Sequence, residues 1–199
     1  MAKISMSPLQ HLLENRIIYL SGEVDTSSAN HVITNLLVLN SLDKESDIRL
    51  YISSQGGSVY AGLAIYDCIQ MIDAPVSTFC IGPAFSMAAW ILAAGEFGKR
   101  YATANSRILL HQAWAQTSGT TSDIKIAAEN IIDLENKMIK ILSFHTKKSK
   151  EIIEKSIQKD LWLNAKEAKK FGIIDHIIPL LKLKRKRIHK ISMEPDKCR

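Results

Sequence analysis

Ala74-Pro-Val76-Ser-Thr-Phe79-Cys-Ile81-Gly82-Pro83-Ala-Phe-Ser86-Met87-Ala-Ala-Trp90-Ile-Leu-Ala-Ala94-Gly95 contains no charged residue. It is the one stretch of the chain long enough to be considered as a membrane span. Gly82-Pro83 interrupts it, however, and Val76 to Ile81 is rich in strand formers, while Ser86 to Ala94 reads as an apolar helix closed by Gly95. A buried strand followed by a buried helix is therefore the expected reading, and it sets the class of the whole chain.

Outward from this stretch the same alternation repeats. Strand-like runs begin near Ile17, Ile48, Val76 and Ile108, with helical patterns at Ser28 to Leu42, Ser58 to Ile72 and Ser86 to Ala94 between them. That spacing predicts repeated β-α units. Val59, Leu63, Tyr66 and Ile69 recur at helical spacing and read as core positions. A longer helix is expected from about Ser122 to Phe144, with more apolar surface than one covered face requires. A shorter helix follows from Ser149 to Gln158, and Asn164 caps another, with Glu167 at the capping-box position.

Composition narrows the functional classes. At 199 residues, 46% hydrophobic and 23% charged, the chain fits one globular domain, expected over 1–179. Residues 180–199 carry eight Lys or Arg against two acids, a balance of +6 that equals the net charge of the entire chain. The body is thus formally neutral, and the run Lys182-Leu-Lys-Arg-Lys-Arg187 reads as a solvated basic tail rather than a nucleic-acid or lipid patch. Three cysteines, Cys68, Cys80 and Cys198, are odd in number and lack C-x-x-C spacing, which speaks against a disulfide framework or a zinc site. No metal site and no cofactor are expected. Met1 to Pro8 has no apolar h-region, so the expected compartment is the reducing cytoplasm.

Chemistry enters at Ser86, which stands where the extended segment gives way to the apolar helix. Arg107-Ile-Leu-Leu-His111 is a short apolar run ending in a histidine, and Lys159-Asp160-Leu-Trp162 sets an acid among apolar neighbours. Taken singly, each has an ordinary reading: a helix cap, a hydrogen-bonded strand end, a surface acid. Together they are the residue types of a general-base-activated hydrolase.

Three stretches, Tyr51-Ile-Ser-Ser-Gln55-Gly56-Gly57-Ser58-Val-Tyr-Ala-Gly62-Leu-Ala-Ile-Tyr66-Asp67, then Gly82 to Arg100, then Asn105-Ser-Arg-Ile-Leu-Leu-His111-Gln112, resemble the proteolytic subunit of the Clp protease, the ClpP family of serine peptidases. The similarity runs from about Asn15 to about Pro179 and takes in His145-Thr146 and Phe171-Gly172-Ile-Ile-Asp175. It implies an α/β fold, the crotonase-like ββα superhelix, with the long helix as a projecting handle between two heptameric rings. It implies Ser86 as nucleophile, His111 as general base and Asp160 as orienting acid, with the backbone N–H groups of Gly57 and Met87 as oxyanion hole. It further implies a chamber fed by an AAA+ unfoldase of the ClpX, ClpA or ClpC type, docked on an apolar pocket matching Tyr51, Met71, Phe79, Ile81 and Tyr101. The order Ser, His, Asp differs from those of chymotrypsin, subtilisin and the α/β-hydrolases.

The chain also departs from the family pattern. Ala113-Trp114-Ala115-Gln116 replaces the usual proline and paired glycines of the substrate-binding segment, and these side chains are expected to narrow the cleft. Phe85, immediately before Ser86, is the largest steric change; Pro83 and Gln55 are further replacements. Gln158 and Lys159 stand where an acid and an arginine often bridge the rings, and the axial loop at the N-terminus is short.

The leading expectation is a serine endopeptidase subunit that cleaves unfolded proteins. The alternative is a weakly active or structural ClpP-type subunit that works only in a mixed oligomer with a second paralogue. A crotonase-type acyl-CoA enzyme would leave the three polar residues as coincidence, and a membrane Ser-Lys peptidase would need a lysine base. No Walker-type phosphate loop is present, so any ATPase belongs to another chain.

Overall fold

The computed structural model describes residues 7–114 and 116–179. The basic tail and Cys198 lie outside the described residues, as does Ala115. The chain folds as α1 (Pro8–Glu14), β1 (Ile17–Val24), α2 (Thr26–Leu42), β2 (Ile48–Gly57), α3 (Val59–Met71), β3 (Val76–Phe85), α4 (Met87–Ala93), β4 (Arg100–Thr103), β5 (Arg107–Leu110), α5 (Thr121–Thr146), α6 (Lys150–Ile157), β6 (Leu161–Asn164), α7 (Ala165–Phe171) and β7 (His176–Ile178). It is α/β, as expected.

Seven strands form the sheet, in the order β1-β2-β3-β4-β7 with β5 and β6 branching from β3. All contacts are parallel except β5 with β6. The branch arises in the stretch that decides the fold. The first half of β3 pairs Ile48–Ile52 of β2 with Val76–Cys80. On its other edge β3 pairs Thr78–Cys80 with Arg100–Ala102 of β4, and its last three residues, Pro83–Phe85, turn instead to Arg107–Leu109 of β5, while Ala84 stays paired with Ser54 of β2. Gly82, at φ +84°, makes the bend between the two halves. The Gly-Pro pair was expected to end the strand; instead it redirects it to a second set of partners.

Local capping fixes the helix starts. Asp25 accepts from the Ser28 N–H at 2.7 Å while the Ser28 hydroxyl accepts from the Asp25 N–H, so α2 begins two residues before the expected Ser28. This reciprocal cap uses serine where Glu or Gln is usual. Asn164 and Glu167 form the expected capping box on α7. Four short elements, α1, β4, β6 and β7, were not anticipated, because runs of three to seven residues carry too few repeats for periodicity to register.

Helix α4 is buried at every one of its seven positions, Met87 to Ala93, which explains its uncharged sequence. Cys68 and Cys80 are buried free thiols, and burial pushes the Cys80 thiol up to about 11. The 26-residue α5 differs along its length: its buried residues start at Met138, and Ile124, Ile126 and Ile132 are exposed. At 1.5 Å per residue it is about 39 Å long. Its buried half is tied to α4 by the Trp90 indole, which donates to Met138 O at 3.0 Å. A buried ion pair holds β4 to the β7 approach, Arg100 to Asp175 at 2.6 Å, and the same guanidinium donates to His145 O of α5 at 2.9 Å. No helix among the described residues is long and apolar enough to cross a membrane.

Candidate active site

Ser86 is the residue between β3 and α4, and its backbone is unusual. It sits at φ +50°, ψ −131°, a region that L side chains rarely adopt. As N-cap of α4 it would be expected to cap with its hydroxyl, yet it makes no side-chain capping bond. The ordinary reading of this serine therefore fails, and its hydroxyl is left for another use. The Ser86 N–H donates to Leu109 O at 2.9 Å, fixing the turn against β5.

Gly56 permits that turn. A Cβ there would meet Phe85 O at 2.5 Å and Ser86 Cβ at 2.7 Å, and its φ is +88°. Gly57, by contrast, faces β1: a Cβ on it would run into Val24 O and lie 2.9 Å from Glu23 Cγ. The missing Cβ of Gly57 thus accommodates the close approach of the β1 end, and it is Gly56 that makes room for the serine.

A cavity of about 290 Å³ opens beside Ser86, lined by Gly57, Met87 and His111 among others. His111 follows β5 directly. The antiparallel β5–β6 register pairs Leu110 with Leu161, so continuing the ladder by one step brings His111 opposite Asp160. Two sheet contacts thus carry the three residues to one end: β3 with β5 for Ser86, β5 with β6 for His111 and Asp160. Among the described residues no hydrogen bond joins the three side chains, and Asp160 is exposed and outside the cavity lining. Such bonds are often long in an unliganded chain and tighten with substrate. The Met87 N–H opens α4 and so has no partner within the helix, the condition an oxyanion donor needs.

The substituted positions are distributed around this cavity. Gln55, Ala113 and Trp114 line it, with Trp114 81% exposed. Gln116 is exposed and does not line it. Phe85 does not narrow the cleft: its ring turns away and packs edge-on against Trp162, with centroids 5.2 Å apart. Sequence reasoning missed Trp90, Glu135, Met138 and Ile157, which line the cavity from α4, α5 and α6. The first, third and fourth read as ordinary core. Glu135 carried a signal, as an acid on an otherwise apolar helix face.

On the sheet surface Tyr51, Phe79 and Tyr101 stack in sequence, with centroids 4.7 Å apart at each step. His176 of β7 extends the stack at 5.2 Å from Tyr101. Ile81 is 42% exposed and Met71 69%, so neither is core.

The Clp protease family profile matches residues 2–180. This chain belongs to the Clp protease family. It is 44% identical over 167 residues to the "ATP-dependent Clp protease proteolytic subunit 1" of Rhodopirellula baltica, an alignment that takes in 84% of this chain and 74% of that protein. Membership makes the chain a serine-type endopeptidase and a subunit of an oligomeric assembly that works with Clp ATPases.

Proposed function

We propose that Ser86 Oγ attacks the scissile carbonyl while His111 takes its proton, and that His111 returns the proton to the leaving amine as the tetrahedral intermediate collapses to an acyl-enzyme. Water then repeats the sequence to release the acid and regenerate Ser86. Asp160 holds the imidazole tautomer and stays ionised. The Gly57 and Met87 N–H groups receive the developing oxyanion, each worth about 3 kcal/mol of barrier. The observation that carries this reading is the strained, uncapped Ser86 at the mouth of a cavity that also contains His111.

The substrates are unfolded polypeptides delivered in the cytoplasm by a separate AAA+ unfoldase to a chamber of heptameric rings. The stacked Tyr51, Phe79 and Tyr101, with Ile81 and Met71, form the surface on which the unfoldase docks. A fluorophosphonate probe tests the chemistry: the chain should label at Ser86, and Ser86→Ala should not. Labelling that persists in Ser86→Ala removes the assignment.

A second reading, full activity only in a mixed oligomer with another ClpP-type subunit, is favoured by the unjoined triad. The substituted ring-contact positions Gln158 and Lys159 also favour it. Labelling of the chain alone against the chain mixed with a paralogue separates the two.

A further inference from the structure

Glu135 stands on α5 with apolar residues at every position that its own helix could offer as a partner: Ile131 and Ile132 one turn before, Met138 and Ile139 one turn after. Its side chain lines the cavity beside Ser86, and its Oε1 is buried without a hydrogen-bond partner among the described residues. Among the described residues the cavity lining holds no lysine or arginine. A buried carboxylate oxygen left unpaired is unfavourable unless a partner arrives from outside.

We propose that Glu135 is a specificity-determining residue that selects a lysine or arginine side chain on the residue supplying the scissile carbonyl. This rests on the assignment of Ser86 as nucleophile. The cavity is shared by Ser86 and by Gly57 and Met87, the groups that would hold the carbonyl oxygen, so the side chain next to that carbonyl is the one that enters. Its wall combines the apolar Val59, Trp90, Met138 and Ile157 with a single carboxylate. A long methylene stem ending in a cation is complementary to both parts. A leucine would fill the apolar wall and leave Glu135 unpaired, which disfavours it relative to lysine.

The test uses the full chain in its assembled form and two peptidyl phosphonate probes, identical except for a lysine-like or leucine-like group beside the phosphorus. The lysyl probe should label Ser86 faster by about tenfold or more, because the leucyl group leaves a buried polar group unpaired. Glu135→Gln should bring the ratio close to one, and Glu135→Lys, which sets like charges together, should invert it in favour of the leucyl probe. Because each ratio is taken within one protein, partial loss of folded material cancels. Equal or faster labelling by the leucyl probe in the unmodified chain overturns the proposal, as does a ratio unchanged in Glu135→Gln. A small fluorophosphonate distinguishes the levels of failure. If it labels Ser86 while the peptidyl ratio is flat, the specificity assignment alone is wrong; if nothing labels, the nucleophile assignment fails and this inference falls with it.

Discussion

Replacing Ser86 by glycine should make the protein more stable than replacing it by alanine, although both changes remove the same hydroxyl. The hydroxyl makes no capping bond, so its loss is common to both variants and structurally mild. What differs is the backbone: at φ +50°, ψ −131° a residue with a Cβ is strained by about 1–3 kcal/mol, and glycine is not. Glycine also gains freedom in the unfolded chain, which offsets about 0.4–1 kcal/mol of the relief. The net expectation is about 1–2 kcal/mol in favour of Ser86→Gly, or an increase in Tm of about 3–6 °C for a chain of this length. Thermal and urea unfolding at one fixed protein concentration measure this, because assembly makes stability concentration-dependent. Both variants should be silent towards a fluorophosphonate. A Ser86→Gly variant no more stable than Ser86→Ala would mean that the turn is unstrained and that the argument from backbone geometry to function is unsound.

Buried His145 contributes a pH dependence. Burial, reinforced by the Arg100 guanidinium, depresses its pKa from 6.5 to about 4. Between those values the unfolded chain binds more protons than the folded one, so stability should fall as pH is lowered from 6.5 towards 4, and His145→Phe should flatten that slope in urea unfolding at pH 7 and pH 5. An unaltered slope would place the dependence elsewhere. At the proposed ring contact, Gln158→Asp with Lys159→Arg should shift the native mass of the chain towards double rings and raise peptide cleavage, since a cation facing its partner ring without an acid is disfavoured. A chain that already sediments as a stable double ring and cleaves fully would show that the pair is dispensable.

The long elements were legible because they repeat their signals. Val59, Leu63 and Tyr66 mark α3 at helical spacing, and the uncharged run around Ser86 announces burial of both β3 and α4. The partner change of β3 at Gly82-Pro83 was not legible, since a bend within a strand and the end of a strand use the same two residues. Ser86, His111 and Asp160 could be named from the sequence through family resemblance, but their convergence depends on the β3–β5 and β5–β6 pairings, which are long-range. The steric roles of Gly56 and Gly57 were not legible either, because a glycine in a sequence shows only that something is close, not what. Glu135 was overlooked for a related reason: in a long helix an acid is ordinarily a solvent-facing residue, and only the path of α5 past the cavity makes it otherwise.

Helix α4 has seven residues, all covered by other parts of the fold, and a helix of that length does not persist by itself in water. The turn that presents Ser86 is likewise held from outside, by Gly56 on β2 and by Leu109 on β5. With Ser86 as the proposed nucleophile, hydrolytic competence is the product of the finished tertiary structure and of no segment within it. A chain still being synthesised, or one only partly collapsed, carries at this position an ordinary serine that threatens neither itself nor its neighbours.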